Sequence, residues 1–174
     1  MSNDHRPHAE FRRALSQFAT GVTVVTTREA SGAPTGVTAN SFSALSLDPP
    51  LVLWSLARSA RSLGAFRASR GFVVQVLGAA QLEVARSFAS RTVDKFAGVS
   101  WRDSIDGMPR LDGCVAWFEC INRSQYDEGD HVTLVGRVTA FEVAPGAPLI
   151  FHNGRYVTDL AEAPLPRELR SAAL

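Results

Sequence analysis

Val22-Thr23-Val24-Val25-Thr26-Thr27 places six β-branched side chains in a row. Such residues are stiff at χ1 and crowd a helical turn, so the segment reads as a strand. Leu51–Leu56 and Phe72–Leu77 read the same way, each a short apolar run closed by Gly, Pro or polar residues. Ser31-Gly32-Ala33-Pro34 is a turn, and Thr35–Ala39 begins the return arm of a hairpin. Cys114–Asn122, Val132–Val143 and short pieces near Leu149–His152 and Arg155–Val157 bring the set to roughly six or seven strands.

Helical spacing is confined to three places. Phe11, Leu15 and Phe18 share one face of a short amphipathic segment that Thr20-Gly21 ends. Ser59 reads as the N-cap of a helix that carries Leu63 and Phe66 inward and stops near Gly71. A further helix runs from about Ala79 to Ser90, with Leu82, Ala85 and Phe88 on one side. Asn40–Pro50 is polar and ends in Pro49-Pro50, so it reads as a loop, and Arg91–Arg110 reads as irregular. Without βαβ alternation, the pattern argues a mainly β fold with flanking helices: an antiparallel barrel with the helices packed outside. No repeat or composition break divides residues 1–174, so the expectation is a single domain with an ordered core of about 9–160 and peripheral tails.

Charge and motif arithmetic narrow the function classes. Eighteen basic against seventeen acidic residues leave a formal charge of +1, which offers no field for nucleic acid or an anionic membrane. Cys114 and Cys120 form no CxxC pair and sit in an apolar, strand-like stretch, so they are expected as buried free thiols. The four histidines, His5, His8, His131 and His152, share no ligand spacing, and no metal site is expected. Met1–His8 is polar and no apolar run is long enough to span a bilayer, which predicts a cytoplasmic protein. GxGxxG and GxxxxGK[ST] are both absent, so any nucleotide is held by neither a Rossmann turn nor a P-loop. Lys95 is the sole lysine, a bias of the kind a GC-rich genome imposes on a whole chain.

Residues 30–82 carry the chemistry. Their only acid is Asp48, while Arg58, Arg61, Arg67 and Arg70 fall in one strand-to-helix passage, interleaved with Ser55, Ser59 and Ser62. Hydroxyls and guanidinium groups are what a phosphate requires, and they also suit a solvated arginine face. Thr38-Ala39-Asn40-Ser41 sets small residues and an amide at a strand end, where a flat polar ring could approach the backbone. Gln75 interrupts an apolar strand, and a neighbouring backbone group or a ligand could satisfy it. His131 follows Gly129-Asp130 at a strand mouth, either as the first residue after a turn or as a substrate contact oriented by the acid.

Taken in order, Phe18–Thr26, Gly36–Val52, Arg58–Ser62, Phe72–Leu77, Phe88-Ala89, Gly129-Asp130-His131 and Gly136-Arg137-Val138 resemble the short-chain flavin reductases. These are the NAD(P)H:flavin oxidoreductase components of two-component monooxygenases. The resemblance implies an FMN-binding split β-barrel, a homodimer, and a separate oxygenase that receives reduced flavin. It implies FMN or FAD as the flavin, with NADH or NADPH as hydride donor. By the same resemblance Thr38, Ala39, Asn40 and Ser41 border the flavin ring, and Ser55, Arg58, Ser59 and Ser62 hold the ribityl phosphate. Gln75, Val76 and Leu77 run beside the ring, Arg86 and Phe88 contribute from the following helix, and Tyr156 is a further pocket residue. His131 is the residue expected at the nicotinamide. Gln75 stands where the family often has Asn, and Arg58 where it often has a lysine. The same barrel can also hold flavin or another cofactor without turnover, which is the alternative to a reductase.

Overall fold

A computed structural model of the chain describes residues 6–92 and 94–159. The elements in order are α1 (Arg6–Leu15), β1 (Thr20–Gly21), β2 (Thr23–Arg28), β3 (Pro34–Ala39), β4 (Ser43–Leu47) and β5 (Pro50–Ala57). Then come α2 (Leu63–Ala68), β6 (Gly71–Val76), a single 3-10 turn (Ala79–Gln81) and α3 (Leu82–Ala89). The chain closes with β7 (Trp101–Asp103), β8 (Pro109–Leu111), β9 (Ala116–Glu128), β10 (His131–Val143), β11 (Ile150–His152) and β12 (Arg155–Val157).

Seven of these strands form one sheet in the order β3-β2-β6-β9-β10-β5-β4, with antiparallel pairing throughout. Its two edge strands, β3 and β4, are consecutive in sequence and separated only by Asn40, Ser41 and Phe42. A flat sheet would hold its edges far apart, whereas so short a linker keeps them within reach of each other. The sheet therefore curls into a barrel that stays unzipped between β3 and β4. This is the split antiparallel β-barrel that the sequence implied.

The barrel interior is filled by Trp54, Phe66, Phe72, Val74, Val132 and Leu134, all fully buried. Trp54 meets Phe66 and Phe72 edge-on, with ring centroids 4.9 and 5.8 Å apart, and each such side chain contributes about 1.5–3 kcal/mol through burial. A second cluster of Val22, Val24, Leu77, Phe88, Phe96 and Leu149 lies between the sheet, α3 and the small β1-β11-β12 sheet.

Four local expectations change. Ser59 does not cap α2; Ser62 does, and no side-chain capping bond is made. The segment read as a loop before Pro50 contains β4, because an edge strand pairs on one side only and can end at a proline. The irregular stretch holds the β7–β8 hairpin. Strand β9 continues past Asn122 to Glu128 although that half is polar, since β10 pairs with it along its length across the two-residue turn Gly129-Asp130. Among the described residues, no helix is long and apolar enough to cross a membrane.

Candidate active site at the barrel seam

Side chains tie the chain beside the open seam to its neighbours. Ser41 Oγ donates to the Ser55 carbonyl and accepts from the Ser55 amide, both at 2.9 Å. Thr38 Oγ1 donates to the Ala85 carbonyl at 2.7 Å and ties β3 to α3. Ala39 is buried and its carbonyl accepts from Thr23 Oγ1, while Asn40 is exposed at the seam itself.

From Ser41 a polar row crosses the sheet. Ser55 Oγ lies 3.1 Å from Thr133 Oγ1, and Thr133 and His131, two apart on β10, share a face. His131 pairs with Ala57 in the ladder, next to Arg58, whose amide donates to the Asp130 carbonyl at 2.9 Å. The His131 Nδ1 sits 2.7 Å from Asp130 Oδ1. That hydrogen bond, then the charge of the imidazole, holds the Asp130 carboxyl below the usual carboxylate range. Ser41, Ser55, Thr133 and His131 thus follow one another along β5 and β10, with the Arg58 backbone bonded beside them at Asp130.

Ser59, Ser62 and Phe88 meet elsewhere, in a cavity of about 660 Å³ between the β5–α2 passage and the C-terminal end of α3. Arg61, Arg91 and Lys95 also line it; the sequence reading counted Arg61 among the guanidinium groups of the passage and gave neither Arg91 nor Lys95 a place in a site. The Lys95 ammonium donates to the Phe88 carbonyl at 2.7 Å and to the Gly36 carbonyl at 3.2 Å. Burial, and then the charge of Arg61, lower its pKa from the ordinary lysine value. The one sequence signal for Lys95 was its being the only lysine, which coding bias explains equally well.

Several predicted residues lie apart from both groups. Gln75 is fully buried: Nε2 donates to Val24 O, Val73 O and Thr26 Oγ1 at 2.8–3.1 Å, and Oε1 accepts from Leu111 N at 2.8 Å. Its amide is satisfied by protein, which corrects the expectation of a ring contact through this side chain. Leu77 is a core residue whose backbone bonds Val22 and Leu149. Val76 is half-buried at the end of β6, and its carbonyl accepts from Val115 N. Arg86 is exposed on α3 and pairs with Glu83 at 2.6 Å. Tyr156 packs edge-on against Phe151 beside the second core cluster.

The signature of the flavin reductase like domain matches residues 15–158. The chain belongs to the flavin reductase-like family. Among the relatives in this family, a protein of Rhizobium meliloti (strain 1021) named "probable flavin reductase" is 46% identical over 147 residues, which cover 84% of this chain and 47% of that protein. The reductase subunit HsaB of a flavin-dependent monooxygenase from Rhodococcus jostii (strain RHA1) is 44% identical, with 84% of this chain and 75% of that protein covered. This chain thus spans about half of the first relative and three quarters of the second. Among solved structures, the NADH:FAD oxidoreductase SgcE6 of Streptomyces globisporus C-1027, in complex with NAD and FAD fragments, superposes with a TM-score of 0.86. Its identity is 36%, over 94% of this chain and 99% of that one. The family assignment accounts for the split barrel.

Proposed function

We propose that this chain is an NAD(P)H-dependent flavin reductase that passes reduced FMN or FAD to a separate oxygenase in the cytoplasm. One observation carries the reading: Ser41, Ser55, Thr133 and His131 form one polar row beside the seam, with a cation-lined cavity at the β5–α2 passage. Flavin and a nicotinamide nucleotide supply the redox chemistry when bound, a hydride moving from nicotinamide C4 to flavin N5. The protein's part is positional. The Ser41–Ser55 pair fixes the seam's width, and Ser59 and Ser62 present hydroxyls to a phosphate. His131, oriented by Asp130, borders the nicotinamide. No side chain has to take or give a proton in the transfer. The name of the Rhodococcus relative and the NAD and FAD fragments bound by the Streptomyces one support this reading.

A homodimer completes the proposal. Leu45 and Leu47 on β4, Phe141 and Val143 on β10, and Phe11 and Leu15 on α1 are all exposed, and a second copy would cover such apolar surface. Light scattering at micromolar concentration is expected to give twice the chain mass.

The deciding experiment follows NADH oxidation by the purified protein without flavin, with FMN and with FAD. Oxidation that requires flavin is expected. Retention of flavin without NADH oxidation would instead establish the non-catalytic binding alternative, and neither activity would overturn both readings. His131→Ala is expected to lower kcat/KM for NADH at least tenfold while leaving the flavin Kd within twofold. Unchanged NADH kinetics would remove His131 from the site.

A further inference from the structure

We propose that a second cavity, where the β7–β8 turn lies over β6 and β9, takes up hydrogen peroxide and that Met108 is oxidised there to its sulfoxide. The source of peroxide rests on the flavin reading above: reduced flavin that meets dioxygen before an oxygenase passes it two electrons and yields hydrogen peroxide. The cavity measures about 240 Å³, and Arg70, Gly71, Asp106, Met108, Glu119 and Ile121 are in its lining.

Glu119 is the first observation. Its side chain is only 1% exposed. Oε1 accepts from Ser104 Oγ and from the Asp106 amide, the latter at 2.9 Å, which fixes the carboxylate under the turn. Oε2 is buried and has no hydrogen-bond partner among the described residues. A buried carboxylate oxygen without a donor is costly, so a small molecule carrying an O–H group is favoured there. Arg70 is the second. It is exposed at the cavity and enters no ion pair or side-chain hydrogen bond among the described residues, so its guanidinium donors are free. Hydrogen peroxide both donates and accepts, and it is little larger than water. It suits a space that offers an acceptor from Glu119 and donors from Arg70.

Met108 supplies the nucleophile. It is half-buried in the lining, and Met1 is the chain's one other methionine. The hydroxyls of Thr27 and Ser69 lie 3.8 and 4.0 Å from its sulfur, and each has the Gly71 carbonyl at 2.8 Å as its stronger acceptor. The thioether is thus held in place with its lone pairs uncommitted. Both cysteines are buried, which leaves this sulfur as the oxidisable one facing a cavity. In the reaction a sulfur lone pair attacks one peroxide oxygen, the S–O bond forms and the O–O bond breaks. Sulfur loses two electrons, and the departing hydroxide takes the proton of the transferred oxygen and leaves as water. Glu119 Oε2 accepts from the oxygen under attack, and Arg70 donates to the oxygen that departs.

The test exposes the intact protein to hydrogen peroxide and follows addition of one oxygen atom to Met108 by peptide mass mapping, with N-acetylmethionine amide in the same tube as reference. Met108 is expected to react about fivefold faster than the reference or more, although it is half-buried. Glu119→Gln, which keeps the Oε1 acceptor, and Arg70→Gln should each slow it about three- to tenfold, the scale of one hydrogen bond to the reacting atoms. With tert-butyl hydroperoxide, too bulky to sit between the two, the advantage over the reference should vanish. Oxidation of wild-type Met108 no faster than the reference would overturn the proposal, and so would an advantage that survives in both variants. Should Glu119→Gln not fold, Arg70→Gln, at an exposed position, decides alone. A parallel sample turning over NADH and FMN in air, with and without catalase, separates this from the preceding reading. Met108 oxidation that catalase suppresses is expected. Absence of NADH oxidation there, with rapid oxidation by added peroxide, would remove the reductase and leave the peroxide site standing.

Discussion

Ser41 and Ser55, fourteen residues apart, are joined by a reciprocal pair of hydrogen bonds in which one side chain serves both the amide and the carbonyl of the other residue. The ladder between β4 and β5 pairs Ser43 with Leu53, so Ser41 stands opposite Ser55 one step further along. There the backbone of Ser41 has turned away toward β3, and its hydroxyl continues the ladder in its place.

Ser41→Ala removes both bonds. The groups released are open to solvent, so the expected loss of stability is small, about 0.5–1.5 kcal/mol. The expected loss of flavin affinity is larger, several-fold, because the seam's spacing is no longer fixed. Calorimetry and fluorescence titration of the same preparation check the two together; wild-type behaviour in both would leave the pair without a role.

FMN affinity should depend on alkaline pH through Lys95. Its ammonium is lost as pH rises through its pKa, which burial and Arg61 place below the ordinary value of 10.5. The other charged groups lining the cavity are Arg61, Arg91 and Glu29. FMN affinity should therefore fall at a lower pH than an ordinary lysine would dictate, and riboflavin affinity should not follow it. In Lys95→Arg the decline should disappear.

Neither cysteine should react in the folded protein. Burial pushes the Cys114 thiol up to about 11, with Asp112 adding to the rise. Burial, followed by the charge of Glu119, pushes Cys120 up to about 12. At pH 8 both are thiols rather than thiolates, and the thiolate is the nucleophile. A disulfide reagent should find no reactive thiol in native protein and two after denaturation. Rapid native labelling would contradict the buried placement.

Gln75→Leu should destabilise the barrel by about 2–4 kcal/mol, since it leaves the buried Leu111 amide without its acceptor and strips Thr26 and two carbonyls of a donor. Flavin binding by the fraction that stays folded should be unaltered. A selective loss of flavin affinity without loss of stability would return Gln75 to the binding site.

Strands β2, β5 and β6 were legible because β-branched and apolar residues dominate them. The polar half of β9 was not, for its pairing comes from β10 and from Asn122, whose Nδ2 donates to the Phe66 carbonyl at 2.9 Å. Strand β4 was hidden by the prolines that follow it. In the site, Ser59 and Ser62 were legible from their spacing with the arginines, but which arginine accompanies them depended on how the chain turns after Ala57. Lys95 could not be read locally, because its contact with Gly36 spans 59 residues. Gln75 misled because one polar residue in an apolar strand looks the same whether a ligand or the next strand satisfies it.

The linker of Asn40, Ser41 and Phe42 sets an upper bound of about 14 Å on the separation of Ala39 and Ser43. Opening of the slot is thereby leashed: the two rims can part and close again, but they cannot drift apart. A ligand lodged there can come and go without a single rung of the backbone ladder being broken. The bonds that border the slot belong to a few serine and threonine hydroxyls, while the barrel is held by its aromatic interior, so either set can be changed while the other is left alone.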